Sequence, residues 1–246
     1  MPSGIGRVIL PETDTTNAEA ARRAAFGHSD TWILAHFQTA GRGRRGRAWV
    51  SPRGNFHATL LMRPSGGPAE AALRSFTASL ALYDALAELT GMPEAFALKW
   101  PNDVLLNGCK CSGILLESLG AKQGVAYLAV GIGVNLIAAP SPDQLEARAV
   151  APVSVLEETG LRIAPEALLD ALAPAFARYE DLLTTQGFAP IREAWLARAA
   201  RLGEQITARI GTESYLGIFE TIDATGALIL REPEGPRVIP AADIYF

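Results

Sequence analysis

Asn107-Gly108 lies between two apolar runs, Val104-Leu105-Leu106 and the CKCSGILLE segment that starts at Cys109. An Asn-Gly pair in that setting selects a type I′ turn, with positive φ at both central residues, and so demands a tight antiparallel hairpin. Residues 103–106 and 110–118 are therefore expected to pair. Just upstream, residues 95–100 read as extended, and Pro101 pushes Trp100 out of helical angles. Residues 31–37, 55–62 and 124–136 are further apolar strand candidates, the last interrupted by Gly131 and Gly133. Strands joined by hairpins give a mixed, mainly antiparallel sheet.

Helices complete an α+β chain. Thr16 with Glu19 fits a capping box ahead of an Ala-rich helix. Residues 68–89 read as one long helix, with Leu73, Phe76, Leu80 and Tyr83 on one stripe and Gly91 beyond its end. Residues 140–152 read as loop. Helical segments then run to Arg201, with a kink or break expected at Pro174. From Leu202 onward the pattern changes to short strands with turns at Gly211, Asp223–Gly226 and Glu234-Gly235. Such a β-barrel-like module of about 45 residues buries little by itself and should lean on what precedes it. The expected domains are 1–201 and 202–246.

The 246 residues carry a net charge of −4, with 49% hydrophobic and 20% charged residues, which argues for a globular chain and against a general polyanion binder. Cys109 and Cys111 are the only cysteines, and His28, His36 and His57 the only histidines, so no zinc quartet with familiar spacing exists. Reduced core thiols are expected. With no signal-like N-terminus and no apolar run near the roughly 18 residues of a membrane span, a cytoplasmic protein is expected.

Against that background, Gly41 to Arg47 is unusual: four arginines and three glycines in seven residues. Glycine lets backbone N–H groups approach a ligand, and guanidinium forks match phosphate and carboxylate oxygens. A small, highly charged ligand suits this loop best; a nucleic-acid patch and a solvated basic loop are the alternatives. Mutual repulsion should keep the loop mobile until an anion arrives. Trp49 either stacks on a base or an Arg plane or belongs to the core. Lys99, Asn102 and Asp103 surround the Pro101 strand end, as ligand groups or as turn chemistry. By strict alternation Lys110 shares a face with Ser112 and Ile114, opposite Cys109 and Cys111. Gly131-x-Gly133 followed by Asn135 marks close approach of a ligand or tight packing. DTTN at 14–17 is explained by helix capping alone.

Together, DTTN (14–17), QTAGRGRRGRAW (38–49), KWPND (99–103), KCSGILLE (110–117) and GIGVNL (131–136) resemble the biotin protein ligases. Thr15 and the KCSG form depart slightly from the commoner family pattern. The resemblance implies a sheet shared with class II aminoacyl-tRNA synthetases, followed by an SH3-like barrel. It implies that ATP, assisted by Mg²⁺, converts biotin to biotinyl-5′-AMP, and that a lysine of a biotin carboxyl carrier domain then takes the biotinyl group. Thr15, Thr16, Asn17 and Gln38 would hold biotin's ureido and ring end, and Gly131 and Gly133 the flat strand beneath it. Arg42, Gly43 and Arg44 would wrap the carboxylate and α-phosphate together with Lys110; Arg42, Arg44 and Lys110 would be catalytic. Arg45, Arg47, Trp49, Asn102 and Asn135 would serve the nucleotide, Trp49 by stacking on adenine. No residue is assigned as a metal ligand. Because the first motif begins at Asp14, a monofunctional enzyme without the family's N-terminal DNA-binding domain is expected. No specific DNA or membrane partner is implied, and monomer and homodimer both stay open. The alternatives are a lipoate-type ligase of the same fold and, from a different class, a nucleic-acid-binding regulator using the Arg loop.

Overall fold

The Asn107-Gly108 turn has positive φ at both residues, 50° and 79°, and joins β5 (Asp103–Leu106) to β6 (Cys109–Leu119) as an antiparallel pair. The computed structural model describes residues 1–28, 30–119, 125–141 and 150–246. Around this hairpin lies a seven-stranded sheet of order β1-β2-β3-β7-β6-β5-β4, where β1 is Gly6–Leu10, β2 Thr31–Ala35, β3 Phe56–Met62, β4 Phe96–Lys99 and β7 Tyr127–Val134. Only β1 and β2 pair in parallel; all other neighbours are antiparallel.

Alternation divides this sheet into two faces. Trp32, Leu34, Phe56, Ala58, Leu60, Val130, Ile132 and Val134 point to a large core capped by α3 (Arg74–Thr90) and α5 (Pro165–Gln186). On the opposite face, α1 (Thr16–Ala25) covers one end through Ala20 against Ile33, Leu61 and Ala129. The rest of that face is left for the site.

Three helix expectations are corrected. Thr15, not Thr16, caps α1, its hydroxyl accepting from the Ala18 amide at 2.9 Å, while the Thr16 hydroxyl is engaged with Thr59 and Gln38. The expected helix over 68–89 is two, α2 (Pro68–Ala72) and α3, separated by tight i−3 hydrogen bonds around Leu73. Helix α5 runs on through Pro174 without the break that was one of the two expectations: Leu168, Leu169, Leu172, Ala173 and Phe176 are all buried beside it, and that packing outweighs one missing hydrogen bond. Residue 124, expected to open a strand, and residues 142–149 of the expected loop lie outside the described residues. Two further helices, α4 (Val155–Thr159) and α6 (Phe188–Leu196), lead to the C-terminal part. Both cysteines are free thiols, Cys111 buried and Cys109 half-buried.

Residues 205–245 form a five-stranded antiparallel sheet of order β11-β10-β9-β8-β12, with β8 Gln205–Ile210, β9 Glu213–Ile222, β10 Leu228–Glu232, β11 Gly235–Ile239 and β12 Asp243–Tyr245. Its buried Ile206, Phe219, Ile222, Leu228, Leu230 and Ile244 belong to the same hydrophobic cluster as the larger sheet. Trp100 Nε1 donates to Gly226 O at 3.0 Å, and the Arg192 guanidinium donates to Ile222 O. The small module thus leans on the large one, as its size requires.

Gly226 is closely packed within that joint. It has φ +84°, and a Cβ there would lie 2.8 Å from Phe76 Cε2. Gly226→Ala should therefore cost about 2 kcal/mol in backbone strain and overpacking, lowering Tm by roughly 4–8 °C. An unchanged melting curve by circular dichroism would show that the joint is not tightly packed.

Candidate active site

The unoccupied part of the second sheet face is a cavity of about 620 Å³. Its floor is set by strand register. His57 pairs with Gly133 and Thr59 with Gly131 across β3 and β7; Gly133 pairs with Gly113, and Gly131 with Leu115, across β7 and β6. A bulge then shifts the β5–β6 register: Val104 faces Ser112, but Leu105 faces Lys110, with Cys111 as the extra residue. This corrects the expectation from strict alternation. Lys110 lies on the site face with Gly113 and Leu115, while Ser112, like Cys111, is turned to the core side, its hydroxyl accepting from the Val104 amide at 3.2 Å.

One end of the cavity is a hydrogen-bonding network of hydroxyl and amide side chains that ends on the Glu117 carboxylate. Thr16 donates to Gln38 Oε1 through its amide at 2.8 Å, and Gln38 Nε2 donates to Ser51 Oγ at 2.9 Å. The Thr59 hydroxyl donates to Asn17 Oδ1 at 2.6 Å and lies 2.7 Å from the Thr16 hydroxyl. Asn17 Nδ2 donates to Glu117 at 2.6 Å. Asn17 sits directly on Gly131, where a Cβ would come within 2.3 Å of its Oδ1, so only glycine permits this placement. Gly133 does the same for Trp49: a Cβ there would lie 2.6 Å from the indole ring.

Charge gathers at the other end. Asp103 is buried, 2.7 Å from Lys110 Nζ and 3.7 Å from Lys99 Nζ. Burial alone would raise its pKa, but Lys110, Lys99 and Arg44 together outweigh that and hold it below the usual carboxylate value. Lys99 is itself buried, which pulls its pKa down despite Asp103. Lys110 is the more open of the two, with 30% of its side chain exposed, and its ammonium lies 5.7 Å from the centre of the Trp49 ring. Arg44 donates to Asn102 Oδ1 at 3.2 Å, and Asn102 Nδ2 to Ile114 O at 2.7 Å. Asn135 is buried, its amide group donating to Val153 O at 3.2 Å.

The Arg loop departs from the expectation of unrelieved repulsion. Arg42 faces Glu117 at 3.7 Å, Arg44 meets Asn102, and Arg45 and Arg47 both reach the carboxylate of Asp243 on β12. Each guanidinium thus has an acceptor within the chain.

The cavity brings together Thr15, Thr16, Asn17, Gln38, Arg42, Gly43, Arg44, Arg47, Trp49, Asn102, Lys110, Gly131, Gly133 and Asn135; Arg45 alone of the expected residues is turned away from it. Sequence reasoning weighed Asp103 only as a ligand group or turn residue and assigned no role to His57, Glu117 or Asp243. Asp103 stood within a recognised motif, and its pairing with a lysine seven residues on was the available signal. Nothing local marks Asp243, which arrives from the far end of the chain.

His57 is 1% exposed on the cavity floor. Its Nε2 lies 3.2 Å from Pro52 O, and its Nδ1 is buried without a partner, as is Trp49 Nε1. Burial lowers its pKa from 6.5 to about 4, against an opposing contribution from the Pro52 carbonyl. Between those two values the unfolded chain binds a proton that the folded chain refuses, so stability falls as pH drops from 6.5 toward 4. The expected loss from this one group is about 2 kcal/mol between pH 7 and pH 5. Urea unfolding at both pH values should show that His57→Asn reduces the difference by this amount; an unchanged difference would mean His57 is solvated.

Comparison with known proteins agrees with this geometry. Residues 5–135 match the family model for the biotin/lipoate A/B protein ligase family, and residues 202–246 the model for the biotin protein ligase C terminal domain. The chain is 59% identical to a biotin–[acetyl-CoA-carboxylase] ligase of Paracoccus denitrificans, over 97% of this chain and 99% of that one. It is 34% identical to the bifunctional ligase/repressor BirA of Bacillus subtilis, over 96% of this chain and 71% of the relative. Among solved structures, the biotin protein ligase from Aquifex aeolicus in complex with biotin and ATP superposes with a TM-score of 0.81 at 25% identity, over 97% of each chain. The chain belongs to the biotin/lipoate A/B protein ligase family, and its second sheet is the C-terminal module found in biotin protein ligases.

Proposed function

We propose that the protein is a biotin protein ligase: it activates biotin with ATP as biotinyl-5′-AMP and transfers the biotinyl group to a lysine of a carrier domain. The observation that carries this reading is the division of one cavity into an end lined by hydroxyl and amide side chains, with the Glu117 carboxylate behind Asn17, and a cationic end. Biotin has the same division, a ureido ring at one end and a carboxylate at the other. The 59% identity to a ligase named for acetyl-CoA carboxylase supports biotin over lipoate and makes the carrier domain of that carboxylase the proposed target.

In this reading Thr15, Thr16, Asn17 and Gln38 receive the ureido ring, and the glycine floor admits the flat bicycle beside Asn17. The carboxylate is a weak nucleophile held close to a polyanion, so the activation step needs cations already in place. Lys110 supplies one, fixed by Asp103 and open to the cavity. Arg42 and Arg44 supply two more, with Gly43 between them letting the backbone approach. A biotin carboxylate oxygen bonds to the α-phosphorus while the α–β phosphoanhydride breaks, its electron pair leaving with pyrophosphate. The carrier lysine, as a neutral amine, then attacks the acyl carbon and AMP departs. Arg47, Trp49, Asn102 and Asn135, which line the cavity, would serve the nucleotide, Trp49 by stacking on adenine, and Arg45 would join them only by turning toward it.

Mg²⁺ would enter with ATP, held by the nucleotide's phosphates rather than by side chains of this chain. No group of three or more His, Cys, Asp or Glu side chains that could cage an ion exists among the described residues, and Asp103, Glu117 and Asp243 are already paired with cations. When bound, the ion would neutralise phosphate charge. No helix among the described residues is long and apolar enough to cross a membrane. The proposed setting is the cytoplasm, where ATP and reduced thiols are at hand.

Transfer of radiolabelled biotin, but not lipoate, to a purified carrier domain in the presence of ATP and Mg²⁺ tests the reading; preferential lipoate transfer would overturn it. Within that reaction Lys110→Gln should slow single-turnover adenylate formation about 10²-fold or more at saturating biotin and ATP. Lys99→Gln should cost less, since Lys99 is buried behind Asp103. A larger loss for Lys99→Gln would reverse the assignment.

A further inference from the structure

Asp243 opens β12 in the C-terminal module, yet its carboxylate lies at the mouth of the cavity with only 13% of its side chain exposed. Two arginines of the loop meet on the same oxygen: Arg47 at 2.9 Å, and Arg45 beside it. The loop is bent to allow this, with positive φ at Arg45 and Gly46. As a result Arg45 does not line the cavity, whereas Arg42, Arg44 and Arg47 do. One carboxylate between two guanidiniums leaves a net positive charge, and a carboxylate is a smaller, less charged acceptor than a phosphate chain. The pair is half-exposed on the arginine side, so it is exchangeable rather than locked.

We propose that Asp243 is a positioning residue that stands in for the β- and γ-phosphates: it holds Arg45 and Arg47 at the edge of the cavity when they are absent, yields both arginines to ATP, and takes them back once pyrophosphate has left. The proposal rests on the ligase reading above. Its consequence concerns the interval between the two half-reactions. The break of the α–β bond removes the polyanion that had drawn the arginines in, while the acyl-adenylate must still be kept from water. A carboxylate waiting at the same place lets the loop stay closed over the adenylate and, by competing with pyrophosphate, favours its departure.

The test uses the full chain and two variants, Asp243→Asn and Asp243→Glu. Calorimetry with inorganic pyrophosphate, needing no turnover, should show roughly three- to tenfold tighter binding to Asp243→Asn than to wild type, because the internal competitor is gone. Release of biotinyl-AMP from the preformed complex should become severalfold faster in the same variant. Asp243→Glu, which keeps the charge, should restore both values toward wild type. Weaker pyrophosphate binding by Asp243→Asn, with unchanged adenylate release, would overturn the proposal and leave Asp243 as a structural tie between module and loop. Failure of biotin-dependent adenylation in the wild type would refute the ligase reading instead, while the pyrophosphate result would still report on the competitor.

Discussion

The cationic end of the cavity depends on one buried carboxylate. An unpaired Asp103 in this position would cost several kcal/mol in lost solvation, so the fold is stable only with cations beside it. That requirement ties Lys110 and Lys99 to a single point. Asp103 is itself held at the start of β5, next to Asn102, whose backbone and side chain bracket Ile114 of β6 from both sides. The bulge at Cys111 then lets Lys110 reach across. A lysine on a flexible stem ordinarily samples many rotamers; here an ion pair at 2.7 Å selects one, and the ammonium is in place before any substrate arrives.

The hydroxyl and amide end obeys a different constraint. Glycine at 131 and 133 removes two side chains from the floor, and Asn17 and Trp49 descend into the space. The same residues that bring the walls close also leave polar atoms without partners, Trp49 Nε1 and His57 Nδ1. Buried orphans of this kind are rare, and these two face the cavity. Function here has been set at some cost to the free protein's stability, at positions where packing alone would favour larger and less polar residues.

Much of this was legible in the sequence because it is local. Asn107-Gly108 announces its hairpin, and the strands around it follow from short apolar runs between turn signals. The residues singled out by the resemblance to biotin protein ligases line the cavity except Arg45, while His57, Glu117 and Asp243 line it unannounced. What stayed hidden is what strand pairing and distant chain segments decide. The face of Lys110 depends on a register shift against β5, which alternation within β6 cannot reveal. The cap of α1 is Thr15 because Gln38 and Thr59, from other strands and loops, engage the Thr16 hydroxyl. Helix α5 passes through Pro174 because of packing on its buried face, a tertiary effect. Arg45 turns away because of Asp243, 198 residues later.

The most direct measurement of the organising role given to Asp103 is biotin-dependent exchange of labelled pyrophosphate into ATP by Asp103→Asn, with biotin affinity measured by calorimetry on the same preparation. If the carboxylate sets the cationic end, exchange should fall by about 10²-fold or more while biotin binding changes only severalfold, because the ureido end is untouched. Exchange at the wild-type rate would contradict the account, since Lys110 would then need no buried partner to act.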